Sequence, residues 1–337
     1  MIRRPDPSLL QLHDCLLFDL DGTLMNGSDP IAHAADGVRR AREAGVTLVF
    51  ATNNASRTPQ QAADHLATVG VTAHADEMIT SPQVASSLLA RTLEPGQKVL
   101  VIGGDSLAAE VRAAGFDPVR EDSADVAAVV QGWAPDVGWA QLAEGAFAIG
   151  HGALYVATNT DATLPTERGF APGNGSLVAA LRHATGVDPL VAGKPEPGMF
   201  EVAVDRVGAR RPLVIGDRLD TDIAGANRAG MPSLLVLTGV STIENALRAT
   251  PLERPTAVLP DLSALHHGFP LPVVSGTGAR CGRSGAEMQG EDIRLHGSLD
   301  DMLTVRAVLA LLADQRPDEA FTGRVLDADG SEVIPAP

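Results

Sequence analysis

The sequence predicts an α/β protein: a doubly wound parallel sheet, a second α/β set inserted into it, and a small α+β extension at the carboxyl end. Three observations predict it. Apolar runs of strand length alternate with stretches of helical periodicity. The runs end in polar residues where the chain must turn, and after a middle stretch with strands and helices of its own the first pattern resumes. A chain of 337 residues has room for two domains and a small third. The expected division is 1–81 and 189–265 for the core, 82–188 for the insert and 266–337 for the extension.

The first strand is the apolar run Leu16-Leu17-Phe18, which delivers Asp19 and Asp21 into a turn made by Gly22. Residues at spacing two point the same way along a strand, so the two acids can converge at its carboxyl end. That is where open α/β sheets bind ligands. Paired acids there suit a divalent cation with oxygen ligands, or a carboxylate nucleophile; a solvated turn is the plainer alternative. Residues 30–44 have helical content, Gly45 stops it, and 46–51 form a strand that ends in the polar loop Thr52-Asn53-Asn54-Ala55-Ser56. Thr58 and Pro59 suit the N-cap and first position of the next helix.

From about residue 81 the order changes. Helices are predicted at 82–93, 106–114 and 139–149, with strands at 98–102, 126–130 and 153–157. A loop rich in Gly and Pro (Pro165, Gly169, Pro172, Gly173, Gly175) leads to a helix at 176–185. The core pattern then returns as 190–192 running into Gly193-Lys194-Pro195, a helix at 199–207, and a strand at 213–216 ending in Asp217. A helix at 222–229 and strands at 233–237 and 256–259 complete it. Residues 266–285 read as a linker running into weak strands, and 299–315 as a helix. At the amino end Arg3 and Arg4 are followed by Pro5 rather than an apolar signal core, which reads as a short leader.

The net charge of −16 argues against nucleic acid or an anionic membrane as partner, because either requires a concentrated basic face. No window reaches the roughly 18 apolar residues of a membrane span. The only cysteines, Cys15 and Cys281, indicate neither a disulfide framework nor a thiolate metal site, and a reducing cytoplasm fits them. Aromatics at 3% leave an aliphatic core.

Polar residues therefore stand at separate strand ends: Asp19 and Asp21, Thr52 and Asn53, Lys194, and Asp217 with Asp222. Such ends share one edge of a parallel sheet, so these residues are expected to meet in one crevice. Three carboxyl groups would hold Mg²⁺ and leave room for a phosphate oxygen, while lysine and hydroxyl offset the remaining phosphate charge. Taken singly, each has a plainer reading: Lys194 as a loop lysine, Asp222 as a helix cap, Thr52 and Asn53 as turn residues.

The segments Asp19-Leu20-Asp21-Gly22-Thr23-Leu24, Thr52-Asn53, Lys194-Pro195 and Gly216-Asp217 to Thr221-Asp222 resemble, in order, the four motifs of the haloacid-dehalogenase (HAD) superfamily phosphatases. The insert resembles the C2 cap of the subfamily containing NagD-type nucleotidases, p-nitrophenyl phosphatases and pyridoxal phosphatases. The stretch from Ala157 to Asp161, with Pro172-Gly173-Asn174-Gly175, is similar to that cap's substrate loop. More narrowly, the chain resembles actinobacterial glycerol-3-phosphate phosphatases, whose tail is similar to part of a GNAT acetyltransferase. This resemblance implies an HAD-type Rossmann-like core. It implies Asp19 as nucleophile, Asp21 as acid and base, and Thr52, Asn53, Asn54 and Lys194 around the phosphoryl group. Asp19, the Asp21 carbonyl, Asp217 and Asp222 would serve Mg²⁺, and Asn159 and Asp161 would lie near the substrate or shape its loop.

The expected function is hydrolysis of a small phosphorylated metabolite, glycerol 3-phosphate first, through an aspartyl-phosphate. A nucleoside monophosphate, phosphoglycolate, p-nitrophenyl or pyridoxal phosphate is the alternative substrate. Leu164 stands where pyridoxal phosphatases of this subfamily place a histidine, which disfavours the last. Arg168 and Glu167 would contact a polyol or pair at the surface. A phosphoaspartate signalling module is the alternative of another class, opposed by the inserted cap. The tail is expected to dock or form a homodimer rather than transfer acetyl groups.

Overall fold

The strand Cys15–Phe18 is buried at every position, as a parallel strand covered on both faces must be. It pairs in parallel with Thr47–Thr52 on one side and Pro212–Gly216 on the other, with Phe18 opposite both Phe50 and Ile215. Ser233–Val236 and Ala257–Leu259 continue the sheet beyond Pro212–Gly216, again in parallel. Phe18 and Phe50 stack with ring centroids 5.9 Å apart, a rare aromatic contact in an aliphatic interior. Burial pushes the Cys15 thiol up to about 12, so it stays protonated and packs as a small apolar group.

The structure is a computed structural model that describes residues 6–166 and 168–337. Arg3 and Arg4 of the expected leader, and Glu167, lie outside the described residues. The chain divides into two units. The first comprises Met1–Phe50, His65–Ala73 and Ala203–Pro337; the second comprises Ala51–Asp64 and His74–Val202.

The first unit holds the sheet just described and, after Leu265, an antiparallel sheet. The stretch read as a linker running into weak strands holds the ordered strands Val273–Ser275, Gly278–Cys281 and Ser284–Gln289, paired in sequence with Asp292–His296. Their glycines obscured the period-two pattern: Gly276 and Gly282 sit at tight turns with positive φ, and Gly285 has Ala279 O where a Cβ would lie 2.7 Å away. Val325–Leu326 and Glu332–Ile334 complete this sheet. The helix Met302–Gln315 starts later than expected because the Asp301 carboxylate caps it, accepting from Leu303 N–H. One apolar cluster runs through Leu219, Ile223, Leu235, Leu247 and Val258 of the core and Ala286, Val308, Leu312, Phe321 and Ile334 of the extension.

The second unit carries a five-stranded parallel sheet in the order Leu190–Val191, Leu154–Ala157, Val126–Gln131, Lys98–Ile102, Asp117–Val119. The edge strand Asp117–Val119 is short and holds Pro118, which explains why its sequence gave no strand signal. Helices Trp139–Gly150 and Asn174–Thr185 cover the sheet over Leu100, Ile102, Val129 and Tyr155. The Gly/Pro-rich stretch expected as a loop instead forms an antiparallel hairpin, Thr163–Thr166 with Gly169–Pro172. Gly169 takes φ +111°, a conformation open to glycine at the turn.

Arg254 is buried and donates to Leu312 O, Arg316 O and Glu319 O at 3.1, 2.9 and 2.6 Å. Arg254→Met leaves those carbonyls without their donor and should destabilise the fold by about 1–3 kcal/mol. A lowered urea midpoint with unchanged slope would show it.

Candidate active site

In the first unit, the chain leaves Cys15–Phe18 with Asp19, whose N–H donates to Ile215 O at 2.8 Å and so continues the pairing one residue further. A tight turn follows, closed by Gly22 N–H to Met25 O at 2.7 Å and Leu24 N–H to Leu20 O at 2.8 Å. Gly22 has φ +86°, and a Cβ there would lie 2.4 Å from Asp217 Oδ2. Glycine is required twice over, for the backbone and for the close approach. Thr238 Oγ1 fixes the same turn by donating to Gly22 O at 2.6 Å.

Asp217 follows Pro212–Gly216 and is wholly buried. Val240 N–H donates to its Oδ2 at 2.8 Å, and Ser241 N–H to its carbonyl at 3.1 Å. Gly239 closes the other side, where a Cβ would lie 2.0 Å from the same Oδ2. Asp222, also buried, lies in a wide π-helical turn, Leu219–Ile223, which precedes the helix Ala224–Arg228. It is therefore not the N-cap of a helix over 222–229. Its Oδ2 accepts from Arg218 N–H at 3.2 Å, which turns the carboxylate back towards Asp217.

Oxygens of Asp19, Asp217 and Asp222 lie within 4.8 Å of one another. Each like-charged pair at about 5 Å would repel by roughly 3 kcal/mol at an effective dielectric of about 20. An all-carboxylate donor set with two buried members is what a hard divalent cation stabilises, and Mg²⁺ or Ca²⁺ fits it by ligand type. Asp21, in the turn after Asp19, is exposed.

In the second unit Thr52 is buried and its Oγ1 accepts from Asn54 N–H at 3.1 Å. Asn54 shapes the loop, its Oδ1 accepting from Ser56 N–H at 2.8 Å. Asn53 is a hub that sequence reasoning treated as a turn or phosphate residue. Its Oδ1 accepts from Lys194 N–H at 2.8 Å and its Nδ2 donates to Lys194 O at 3.0 Å. The same Nδ2 reaches the Asp161 carboxylate at 3.3 Å, and the Asn53 carbonyl accepts from Asn159 Nδ2 and Ser81 Oγ, each at 2.8 Å. Gly193 is forced by this packing, since a Cβ there would lie 2.6 Å from both Asn53 Oδ1 and Thr158 O.

Lys194 is buried, with Nζ 3.5 Å from Ala51 O. Asn159 is also buried; its Oδ1 accepts from Asp161 N–H at 3.2 Å, and its carbonyl from Asn174 Nδ2 at 2.7 Å. Ser81, Asn174, Thr238, Val240 and Ser241 were not singled out from the sequence. They act through backbone groups or through partners far along the chain, and only Asn174, inside Gly173-Asn174-Gly175, stood in a motif at all.

The haloacid dehalogenase-like hydrolase profile matches residues 16–117, and a second HAD-hydrolase-like profile matches 191–265. A D-glycerol 3-phosphate phosphatase of Mycobacterium tuberculosis is 52% identical over 270 residues, covering 80% of this chain and 75% of the relative. The chain belongs to the haloacid dehalogenase-like hydrolases. Within this hydrolase family, the 5'-nucleotidase YutF of Bacillus subtilis is 36% identical over 73% of this chain and 95% of its own length. Among solved structures, a glycerol phosphate phosphatase of M. tuberculosis in complex with magnesium superposes with a TM-score of 0.85. It is 46% identical and covers 96% of each chain. A thermostable p-nitrophenyl phosphatase from Bacillus stearothermophilus reaches 0.67 at 32% identity, over 74% of this chain and 97% of its own. No helix among the described residues is long and apolar enough to cross a membrane.

Gly22→Ala places a methyl group against the Asp217 carboxylate and forces a positive φ that costs alanine about 1–2 kcal/mol. Calorimetric titration should find Mg²⁺ binding weakened by more than about tenfold in this variant.

Proposed function

We propose that this hydrolase is a Mg²⁺-dependent phosphomonoesterase acting on a small phosphorylated metabolite, with glycerol 3-phosphate as its substrate. The observation that carries the reading is the carboxylate cluster of Asp19 and Asp217, at the ends of parallel strands, with Asp222 in the turn that follows, two of the three buried. The M. tuberculosis relative supports the choice of substrate by its name and its identity over most of this chain.

In this reading the Asp19 carboxylate attacks phosphorus in line, an Asp19 O–P bond forms, and the bond from phosphorus to the substrate's alkoxide breaks. Asp21 gives its proton to that alkoxide; its exposed position suits proton exchange with water. Water then attacks phosphorus of the aspartyl-phosphate, Asp21 takes the water's proton, and Asp19 is released as carboxylate. Asp19, the Asp21 carbonyl and Asp217 would hold Mg²⁺, with Asp222 supporting them. The ion supplies charge neutralisation and orientation. Thr52, the Asn53 and Asn54 backbone and Lys194 hold phosphoryl oxygens, while Asn159 and Asp161 shape the substrate side. Phosphoryl transfer asks chiefly for such positioning.

The division into a core (1–81 and 189–265), a C2-type cap (82–188) and a GNAT-like extension (266–337) belongs to the same proposal. So does a homodimer, supported by Leu271 and Val273, apolar residues 62% and 67% exposed in the extension. A cytoplasmic location is supported by two free, buried cysteines. The 5'-nucleotidase relative favours a nucleoside monophosphate as the second candidate substrate.

Phosphate release should be measured across glycerol 3-phosphate, nucleoside monophosphates, phosphoglycolate, pyridoxal phosphate and p-nitrophenyl phosphate, with and without Mg²⁺. Glycerol 3-phosphate should give the largest kcat/KM, and chelation should abolish every activity. Asp19→Asn should lower turnover of all substrates by at least about 10⁴-fold. Retained turnover would remove Asp19 as nucleophile.

A further inference from the structure

The loop that holds Asp217 belongs to no strand of the core. Val240 and Ser241 donate to Asp217, and Ser241 Oγ accepts from Leu219 N–H at 3.2 Å, at the head of the turn that carries Asp222. One buried residue therefore touches both acid-bearing segments, its N–H on the Asp217 carbonyl and its hydroxyl on Leu219 N–H. The next residue, Thr242, caps the helix Ile243–Arg248, its Oγ1 accepting from Asn245 N–H at 3.2 Å. At the far end of that helix Arg248 reaches into the carboxyl-terminal extension. It donates to Phe321 O at 3.4 Å, to Gly323 O at 3.3 Å and to Pro335 O, and its guanidinium lies 5.9 Å from the centre of the Phe321 ring.

The extension also faces the loop directly. Leu299 and Ile334 line a trough of about 500 Å³ opposite Gly239, Ser241 and Ile243. Ala246 and Leu247, on the inner face of the short helix, lie in the apolar cluster that includes Val308, Leu312 and Val325 of the extension. The helix has only six residues, too few to be stable alone in water, so its position depends on what it packs against.

We propose that the carboxyl-terminal extension is a positioning element for the cation site: through Arg248 and the short helix it fixes the Gly239–Ser241 loop, and thereby sets the affinity of Asp19, Asp217 and Asp222 for Mg²⁺. The inference rests on the Mg²⁺ reading of that cluster. Its physical basis is preorganisation. A carboxylate whose backbone and Oδ2 are already held binds a cation without first being ordered, and outer groups of this kind change metal affinity by about 10–100-fold.

The test uses the full chain and reads Mg²⁺ binding by calorimetry without substrate, alongside kcat and KM for glycerol 3-phosphate at saturating Mg²⁺. Arg248→Ala should weaken Mg²⁺ binding by about tenfold while kcat and KM at saturating Mg²⁺ stay near those of the unsubstituted chain. Arg248→Lys should recover part of the loss. Ser241→Ala should shift Mg²⁺ binding in the same direction, and Ser241→Thr, which keeps the hydroxyl, should restore it. Arg254→Met is the control, since it also ties core to extension but not to this loop; it should lower stability without moving the Mg²⁺ affinity. If Arg248→Ala and Ser241→Ala lose stability as Arg254→Met does yet bind Mg²⁺ normally, the extension is structural only and the proposal falls. Should Arg248→Ala not fold, Arg248→Lys and Ser241→Ala decide the matter alone. Absence of Mg²⁺ binding by the unsubstituted chain would instead overturn the metal reading itself.

Discussion

Carboxylate oxygens gathered within 4.8 Å repel one another, and much of the first unit can be understood as the means of holding them there. Each acid-bearing residue has a backbone hydrogen bond that fixes its place. Val240 N–H serves Asp217 and Arg218 N–H serves Asp222, while Asp19 is placed through its own N–H on Ile215 O. Backbone donors carry partial rather than full charge, so they orient a carboxylate without neutralising it.

The glycines follow from the same constraint. Gly22 and Gly239 flank Asp217, and Gly216 meets the Asp222 side chain, with hypothetical Cβ distances of 2.4, 2.0 and 2.3 Å. A backbone must come this near to leave no room for water around a buried acid. In the second unit Gly193 does the equivalent for Asn53, whose amide makes two bonds to the Lys194 backbone and one towards Asp161. Asn53 thereby links the residue that carries the ammonium with the loop that carries Asp161. An amide suits this place because it offers a donor and an acceptor together.

The parallel strands and the acids at their ends were legible because both signals are local. An apolar run announces a buried strand, and Asp or Asn at its end announces a turn, so Asp19, Thr52 and Asp217 could be placed from short windows. Asp222's place among the clustered carboxylates was legible but its π-helical turn was not, since there its side chain packs against Gly216. The hairpin Thr163–Thr166 with Gly169–Pro172 was hidden, and the strands at 273–289 read only as weak ones, for another reason. Glycine or proline interrupts the strand pattern in each, at 165, 169 and 172 in the hairpin and at 276, 278, 282 and 285 in the later strands, and their pairing is stabilised by neighbours rather than by propensity. Ser241 and Arg248 gave no signal at all. Their partners, Leu219 N–H and three carbonyls beyond residue 320, are contacts that only the folded chain creates.

The extension is not appended to the core in the manner of a tethered module. Leu219, Ile223, Leu247 and Val258 share one apolar cluster with Ala286, Val308, Leu312 and Ile334, and two arginine-to-carbonyl clasps, from the half-buried Arg248 and the buried Arg254, cross the same boundary. A tethered domain would keep its own core and leave a polar, separable surface between the two. A shared core makes them melt together, because removing either partner exposes the other's apolar face. The antiparallel sheet is therefore part of what keeps the turn bearing Asp222 and the loop serving Asp217 in register, however far in sequence it lies from either acid.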